Sequence, residues 1–300
     1  MRVPTRKAVL STAAVAALAT SLTVGPSLAF GAGGTAAPTA SATSSTSLAV
    51  VGLGSNGTRL VSFRTDTPGS SRTIAQVTGL RRDTRLVGID YRVQDGGLYG
   101  VGEKGGIYRV NDRTGAATRT SNPAVPLDGS LYFGVDFNPA ADALRIISGR
   151  GQNLRVPFAV AGSEAVVDGA LTRPVVPTTT PPSTEKAMRL TAAAYTNNDL
   201  DATTGTTLFD LDTQRDQVTI QSPANSGSTA ATGALGFDAP TNTGMDIYSE
   251  LRQDGRTVDL LPYAVSGGKF YRVNLLTGAA TSVGTLGDRT VSDLALPLDQ

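Results

Sequence analysis

Four aspartates recur at the ends of short apolar segments, and their carboxylates are candidates for cation binding or acid–base catalysis. Asp90, Asp136 and Asp238 each close a Gly-x-Asp triplet, and Asp293 closes a weaker Val-Ser-Asp copy. At equivalent points of inner strands the four carboxylates would ring a channel, where two or three could hold a hard cation or act as acid and base on a sugar. They could instead accept backbone N–H bonds. We expect this structural role, because a catalytic pair is asymmetric whereas a residue that builds a repeated unit recurs.

A second polar cluster lies in the middle of the chain and is less repetitive. Gln152, Asn153 and Arg155 follow one another closely, and Arg145 lies a few residues earlier. Guanidinium and amide groups together suit planar hydrogen bonding to a carboxylate, a phosphate or a sugar. We therefore predict ligand binding at these four residues, with a solvated strand edge as the alternative.

The residue types that are absent exclude several kinds of enzyme and metal site. The chain has no His and no Cys, which excludes a Ser-His-Asp triad, a cysteine nucleophile and a thiolate or imidazole metal site. We expect no cofactor, with calcium as the one open possibility. Asn197, Asp199 and Asp201 alternate like the start of a calcium loop, but Ala202 and Leu208 stand where an EF-hand needs Gly and Glu.

The N-terminus has the features of an export signal. Residues 1–29 combine a basic start, an apolar run over residues 8–24 and a Ser27-Leu28-Ala29 cleavage site, which predicts a cleaved signal peptide and a secreted protein. A retained membrane anchor is the alternative. Residues 30–47 are rich in Gly, Ala, Thr and Ser and predict a flexible linker. Residues 48–300 then form a single domain.

The net charge points to no particular partner. The formal charge of +1 includes three basic residues of the signal, so the mature chain carries 23 basic and 25 acidic residues, or −2. No basic tract alternates with aromatic residues, so nucleic acid is not expected. We expect a monomer that has no membrane contact after signal cleavage and that binds a small molecule, a glycan or an envelope component.

These residues lie within or beside short predicted strands. Apolar segments of four to six residues are separated by Gly- and Asn-containing turns, and no segment of ten or more residues has a helical period. The sequence Tyr-Arg-Val-Asn, followed by Thr-Gly-Ala-Ala-Thr, occurs at residues 108–118 and again at residues 271–281. These patterns predict an all-β chain with an internal repeat.

The spacing of the recurrent residues predicts a β-propeller. The four aspartates, together with Ala194 at the corresponding point of another segment, are 44 to 58 residues apart, which suits blades of four strands. Five such positions predict five blades. The last one lies in residues 291–296, so we expect this C-terminal strand to complete the blade that begins at Leu48 and to cover its open edge. Six blades, or a β-sandwich with long hairpins, are the alternatives.

Several segments resemble a bacterial family known only as domain of unknown function 4394. The segments are Leu86–Arg92, Gly97–Gly100, Tyr132–Pro139, Gly151–Arg155, Val167–Leu171 and Ala193–Asn198. The most specific are the second Gly-x-Asp segment and the Gly-Gln-Asn-Leu-Arg segment that follows it. The resemblance covers nearly all of residues 48–286 and departs at the Pro- and Thr-rich residues 174–185. It implies an exported, propeller-like bacterial protein with no assigned activity.

The function expected from these observations is a non-enzymatic binding or scaffold module. One alternative is a glycan-acting hydrolase or lyase that uses the channel carboxylates. Another is a calcium-dependent propeller esterase or lactonase, which would hold its metal in the channel. The hydrolase requires two carboxylates in an open cleft, whereas carboxylates occupied by backbone N–H groups would argue against it.

Overall fold

The computed structural model describes residues 47–299 except 122–124, 160–161, 163, 177–179 and 202. The predicted signal peptide and all but the last residue of the predicted linker lie outside the described residues. The helices that are described are two 3-10 turns, Pro68–Ser70 and Ala224–Ser226, and neither is long or apolar enough to cross a membrane.

The described chain forms five four-stranded antiparallel sheets, which are the blades, and one two-stranded ribbon. Blade 1 contains β1 (Ala49–Gly54), β2 (Arg59–Arg64) and β3 (Arg72–Gln76). Blade 2 contains β4 (Leu86–Arg92), β5 (Gly97–Gly102), β6 (Ile107–Val110) and β7 (Ala117–Ser121). Blade 3 contains β8 (Phe133–Asn138), β9 (Ala143–Ser148), β10 (Asn153–Pro157) and β11 (Val166–Val167).

Along the chain, the two-stranded ribbon lies between blade 3 and blade 4. It consists of β12 (Thr172–Pro174) and β13 (Thr184–Lys186). Blade 4 contains β14 (Leu190–Tyr195), β15 (Leu208–Asp212), β16 (Gln217–Gln221) and β17 (Thr229–Ala234). Blade 5 contains β18 (Thr243–Leu251), β19 (Thr257–Ser266), β20 (Lys269–Val273) and β21 (Ala280–Thr285). The chain ends with β22 (Val291–Ala295).

The two ends of the chain meet in blade 1. Strand β22 pairs antiparallel with β1, with Ala295 opposite Val51 and Asp293 opposite Leu53, and so becomes the innermost strand of that sheet. The innermost strands β22, β4, β8, β14 and β18 contact one another in a closed ring. The predicted five-bladed propeller, with its N- and C-terminal strands in one blade, is confirmed.

The apolar core lies between neighbouring blades. Between blades 1 and 2, for example, Leu53, Leu86, Ile89 and Tyr108 are buried together with Ala295 of β22. Each inner strand contributes alternate side chains to the two blades beside it, because successive side chains of a strand point to opposite faces. Burial of large aliphatic side chains on both faces therefore holds each blade to its neighbours.

The inner strands approach so closely that they need glycine. A Cβ on Gly134 would lie 2.4 Å from the backbone nitrogen of Ala193, and one on Gly244 would lie 2.6 Å from the Cα of Asp293. Both glycines are the first residue of a Gly-x-Asp triplet. Backbone contact around the central channel thus explains the glycine of these two triplets.

The two copies of the repeated segment fold alike. The Oδ1 atom of Asn111 accepts hydrogen bonds from the backbone N–H groups two and three residues later, at 3.0 and 2.9 Å, and Asn274 Oδ1 does the same at 3.0 Å for both. The turns end in Gly115 and Gly278, whose φ angles of 70° and 74° favour glycine. Blades 2 and 5 therefore carry the same β6–β7 and β20–β21 turn.

Replacement of Gly134 by Ala is expected to destabilise the propeller by about 1–3 kcal/mol, because the added methyl group meets backbone atoms of β14 that cannot move aside. Gly205→Ala is the matched control, since a Cβ at Gly205 has no neighbour within 4 Å. Urea unfolding of both variants measures the difference. Equal stabilities would show that the inner strands are not packed this tightly.

Candidate functional site

Three buried aspartates meet in the central channel. Asp90 on β4, Asp136 on β8 and Asp246 on β18 each offer a carboxylate oxygen, and these three oxygens lie within 4.8 Å of one another. The three residues occupy the same position of their blades, since each accepts a backbone N–H bond from the inner strand of the blade that follows. We call these three residues the channel carboxylates.

Asp238 is not one of them, and its predicted place in the channel is wrong. The residue is exposed in the loop between β17 and β18. Gly236, in the same loop, has a φ of 83° and so interrupts the extended backbone. The triplet that lies on the inner strand is Gly-Met-Asp, which ends at Asp246. This triplet follows Gly-Phe-Asp by eight residues in the sequence, and the Gly-x-Asp pattern alone does not distinguish the two.

Asp293 lies on the inner strand of blade 1 but in another register. Each channel carboxylate accepts the N–H of the residue that follows the equivalent position in the next blade. Asp246 accepts the N–H of Leu296, so the residue of β22 that corresponds to Asp90 is Ala295. Asp293 precedes this position by two residues, and its Oδ2 accepts the N–H of Ile89 at 2.9 Å. Blade 4 has Ala194 at the corresponding position. The five equivalent positions thus hold three aspartates and two alanines.

The channel carboxylates are occupied by backbone hydrogen bonds between blades. Asp90 Oδ2 accepts the N–H of Phe137 at 2.7 Å. Asp136 Oδ1 accepts the N–H of Tyr195 at 2.9 Å. Asp246 Oδ2 accepts the N–H of Leu296 at 2.6 Å. Each carboxylate therefore fastens its own inner strand to the next one.

Burial and mutual repulsion favour the protonated form of these groups. Burial raises the pKa of Asp90 and of Asp136 well above the usual range, and the negative charge of neighbouring aspartates raises both further. Burial raises the pKa of Asp246 to about 6. Three carboxylate oxygens this close together can share protons or surround a hard cation. All three side chains are buried, so they form a closed cluster rather than an open acid–base pair.

The predicted ligand cluster forms a network between blades 3 and 4. The Arg145 guanidinium is 2% exposed and donates to Asn153 Oδ1 at 2.8 Å and to Asp168 Oδ2 at 2.7 Å. It also donates to Asn225 at 2.7 Å and to the hydroxyl of Tyr195 at 3.2 Å. The donors of Arg145 are thus directed at residues of the protein itself.

The other members of that cluster have internal partners as well. The Asn153 amide donates to the carbonyl oxygens of Gly169 and Ala224, both at 3.0 Å. Gln152 Oε1 accepts the N–H of Asp128 at 3.1 Å. Arg155 forms an ion pair with Asp168 at 3.2 Å. The structure brings three of the four predicted residues together, with Gln152 directed to a separate loop, and all four hold neighbouring segments in place.

A cavity that the sequence did not indicate lies at the mouth of the channel, where the inner strands begin. Its volume is about 160 Å³, and all five blades contribute to its wall. We call it the mouth cavity. Its lining residues are Ser55, Arg85, Leu86, Val87, Leu131, Tyr132, Phe133, Thr191, Thr241 and Ser292. They come from separate loops and strand starts, so no local motif joins them in the sequence.

The mouth cavity offers apolar, hydroxyl and cationic groups together. Leu131 is 66% exposed and Tyr132 is half-buried beside it. The buried hydroxyl oxygen of Ser55 has no hydrogen-bond partner among the described residues. Arg85 provides a guanidinium that forms an ion pair with Glu103 at 3.0 Å. A concave site with a few convergent polar groups is typical of small-molecule binding.

Arg145→Leu is expected to lower the free energy of unfolding by about 3 kcal/mol, because it removes one partner of a buried ion pair and leaves several acceptors unpaired. Arg155→Leu is the matched control. Arg155 is 29% exposed on its side chain, so its loss is expected to cost about 1 kcal/mol or less. Chemical denaturation of both proteins measures the difference, and equal losses would contradict the structural role of Arg145.

Asp246→Asn is expected to change how stability depends on pH. Between about pH 4 and pH 6 the folded protein retains a proton on Asp246 that the unfolded chain has lost, so the free energy of unfolding falls as the pH rises. The variant lacks this proton. As the pH rises across that interval, the free energy of unfolding of the wild type should fall by up to about 3 kcal/mol more than that of the variant. Urea unfolding at a series of pH values tests this, with Asp238→Asn as a control that should follow the wild type.

Comparison with solved structures finds matches of low similarity. An auxiliary nutrient binding protein from Bacteroides ovatus is 14% identical, with a TM-score of 0.38, over 75% of this chain and 56% of that one. A structural genomics protein of unknown function from Bacteroides thetaiotaomicron is 14% identical, with a TM-score of 0.42, over 84% of this chain and 65% of that one. The chain therefore spans less than two thirds of either protein.

Comparison with protein families gives a match over most of the chain. No curated protein matches the sequence. The family model described as "Domain of unknown function (DUF4394)" matches residues 59–295, which include every strand except β1. The resemblance found in the sequence motifs is thereby confirmed, and the chain belongs to the DUF4394 family.

Proposed function

We propose that this protein is a non-catalytic binding module and that its ligand occupies the mouth cavity. The observation that carries the proposal is that all five blades contribute to one concave site at the start of their inner strands. A site built in this way is held by the whole ring, so its shape is fixed before the ligand arrives. Such preorganisation lowers the entropic cost of binding.

The wall of the cavity favours a small hydroxylated ligand such as one sugar residue of a glycan. Leu131 and Tyr132 offer an apolar surface for the face of a ring, and Thr241 and Ser292 contribute hydroxyl groups. Ser55 also lines the wall, and its hydroxyl oxygen lacks a protein partner among the described residues. A volume of about 160 Å³ equals about five water molecules, which suits one ring rather than a long chain.

The arrangement of the channel carboxylates supports binding rather than hydrolysis. Glycoside hydrolysis requires two carboxyl groups that both reach the bond to be cleaved. Asp90, Asp136 and Asp246 are buried, and each accepts a backbone N–H from the next blade. The hydrolase alternative would therefore need other residues.

The N-terminal residues bear on where the protein acts. The sequence of residues 1–29 supports export, so we propose a secreted monomer that meets its ligand outside the cell. One of the similar solved structures is called an auxiliary nutrient binding protein, a name that agrees with a binding role. The proposal rests on the mouth cavity and not on that name, because the similarity is low.

Titration with a panel of neutral monosaccharides, uronic acids and short oligosaccharides, followed by amide NMR shifts, tests the proposal. At least one saccharide should shift the amides around Tyr132. Tyr132→Ala and Leu131→Ala should weaken its binding by about tenfold, since each removes apolar contact worth about 1–2 kcal/mol.

Leu200→Ala is the matched control for Leu131→Ala, because Leu200 is 63% exposed and lies outside the cavity. It should bind as the wild type does. Saccharide shifts that map away from the channel mouth, or binding that survives both cavity variants, would contradict the proposed site.

A further inference from the structure

A polar groove lies next to the mouth cavity, where blade 1 meets the loop that leaves blade 5. Its volume is about 370 Å³, within the range of small-molecule sites. Blade 1 contributes Ser55, Arg59, Val61 and Thr73 to its wall, and the loop before β22 contributes Arg289. Ser55 lines the mouth cavity as well, so the two concavities are neighbours. We call the second one the blade 1–5 groove.

Strand register places Arg59 on the face of blade 1 that forms this groove. Arg59 begins β2 and precedes Val61 by two residues, so the two side chains lie on the same face of the strand. Val61 is buried in the core cluster that blade 1 shares with Tyr263 and Phe270 of blade 5. Thr73 of β3 lies opposite Val61. Arg59, Val61 and Thr73 therefore face blade 5 together, and all three line the groove.

The Arg59 guanidinium has no anionic partner within the described part of the chain. The residue is exposed, and among the described residues its side chain forms no ion pair and donates no hydrogen bond. The acid that lines the groove is Asp288, which pairs with the adjacent Arg289 at 3.1 Å. The groove thus carries two guanidinium groups and one carboxylate, which leaves a net positive charge at Arg59.

The distribution of charge along the chain favours a negatively charged ligand on this part of the ring. Residues 48–121, which include β1 to β7, carry 11 basic and 6 acidic residues, or +5. Residues 122–300 carry 12 basic and 19 acidic residues, or −7. The nearly balanced charge of the mature chain therefore conceals a basic part and an acidic part. An anion is attracted to the basic part, which contains Arg59.

We propose that the mouth cavity and the blade 1–5 groove together bind an acidic glycan. One sugar ring occupies the mouth cavity, and the next sugar, a uronic acid, occupies the groove with its carboxylate paired to Arg59. Arginine pairs with carboxylates through two parallel hydrogen bonds, and Thr73 offers a hydroxyl to the same sugar. The inference rests on the proposed function for the first ring, and it adds the chemical class of the glycan.

Two pairs of disaccharides are the probes. Cellobiouronic acid is compared with cellobiose, and 4-linked digalacturonic acid is compared with 4-linked galactobiose, since the members of each pair differ only in the carboxylate at C6. Each is titrated into the full chain and followed by amide NMR shifts. At least one acid should bind about tenfold more tightly than its neutral counterpart. It should shift the amides of residues 55–59 as well as those of residues 131–133.

Three variants test the location of the site. Arg59→Gln should weaken binding of that acid about tenfold and leave the neutral disaccharide unchanged. Arg113→Gln is the matched control, because Arg113 is an exposed arginine of the same basic part but lies in the β6–β7 turn and lines neither concavity. It should leave both affinities unchanged. Tyr132→Ala should weaken both disaccharides about tenfold. Circular dichroism melting curves establish that each variant is folded.

Several outcomes would overturn the inference. Equal affinities within both pairs, with Tyr132→Ala weakening all binding, would remove the acidic class and leave the proposed function standing. A preference for the acid that survives Arg59→Gln, or that falls equally with Arg113→Gln, would show that Arg59 pairs with no carboxylate. Acid binding that Arg59→Gln abolishes and Tyr132→Ala leaves unchanged would contradict the mouth cavity itself. Failure of all four probes to bind would also overturn the inference, while the wider saccharide panel tests the proposed function separately.

Discussion

Five inner strands approach one another closely around the central channel, and this packing governs how the blades are joined and which surfaces stay open. At two junctions this approach requires glycine, because a Cβ on Gly134 or Gly244 would meet backbone atoms of the next strand. Two residues after these glycines, Asp136 and Asp246 accept a backbone N–H from the next strand. The glycine allows the approach and the aspartate fixes it. The Gly-x-Asp triplet is therefore a structural unit of the ring.

This constraint determines what the channel can do. Carboxylates that fasten one blade to the next are buried, and burial and mutual repulsion raise the pKa of Asp90 and of Asp136. Such groups lie beneath the surface on which a substrate would act. Recognition of a ligand then has to use the surfaces that the ring leaves open, namely its mouth and the grooves between its blades.

The repeated turn shows how one backbone can carry two surface chemistries. Asn111 and Asn274 form the same hydrogen bonds, so the conformation of the turn does not depend on the two residues that follow each asparagine. These residues are free to vary, and they are charged in blade 2 and apolar in blade 5. The repeat thus separates the residues that build the blade from those that determine what its surface attracts.

The all-β class, the number of blades, the closure by β22 and the family could all be predicted from the sequence, because each depends on local turn chemistry or on spacing along the chain. Which Gly-x-Asp triplet lies on an inner strand depends on tertiary contacts. Gly236-Phe237-Asp238 and Gly244-Met245-Asp246 match the same pattern, and only strand register distinguishes them. Tertiary contacts likewise direct Arg145 at Asp168 and Asn225 rather than at a ligand. The mouth cavity collects residues from five blades that are far apart in sequence, and such a site exists only once the ring has closed.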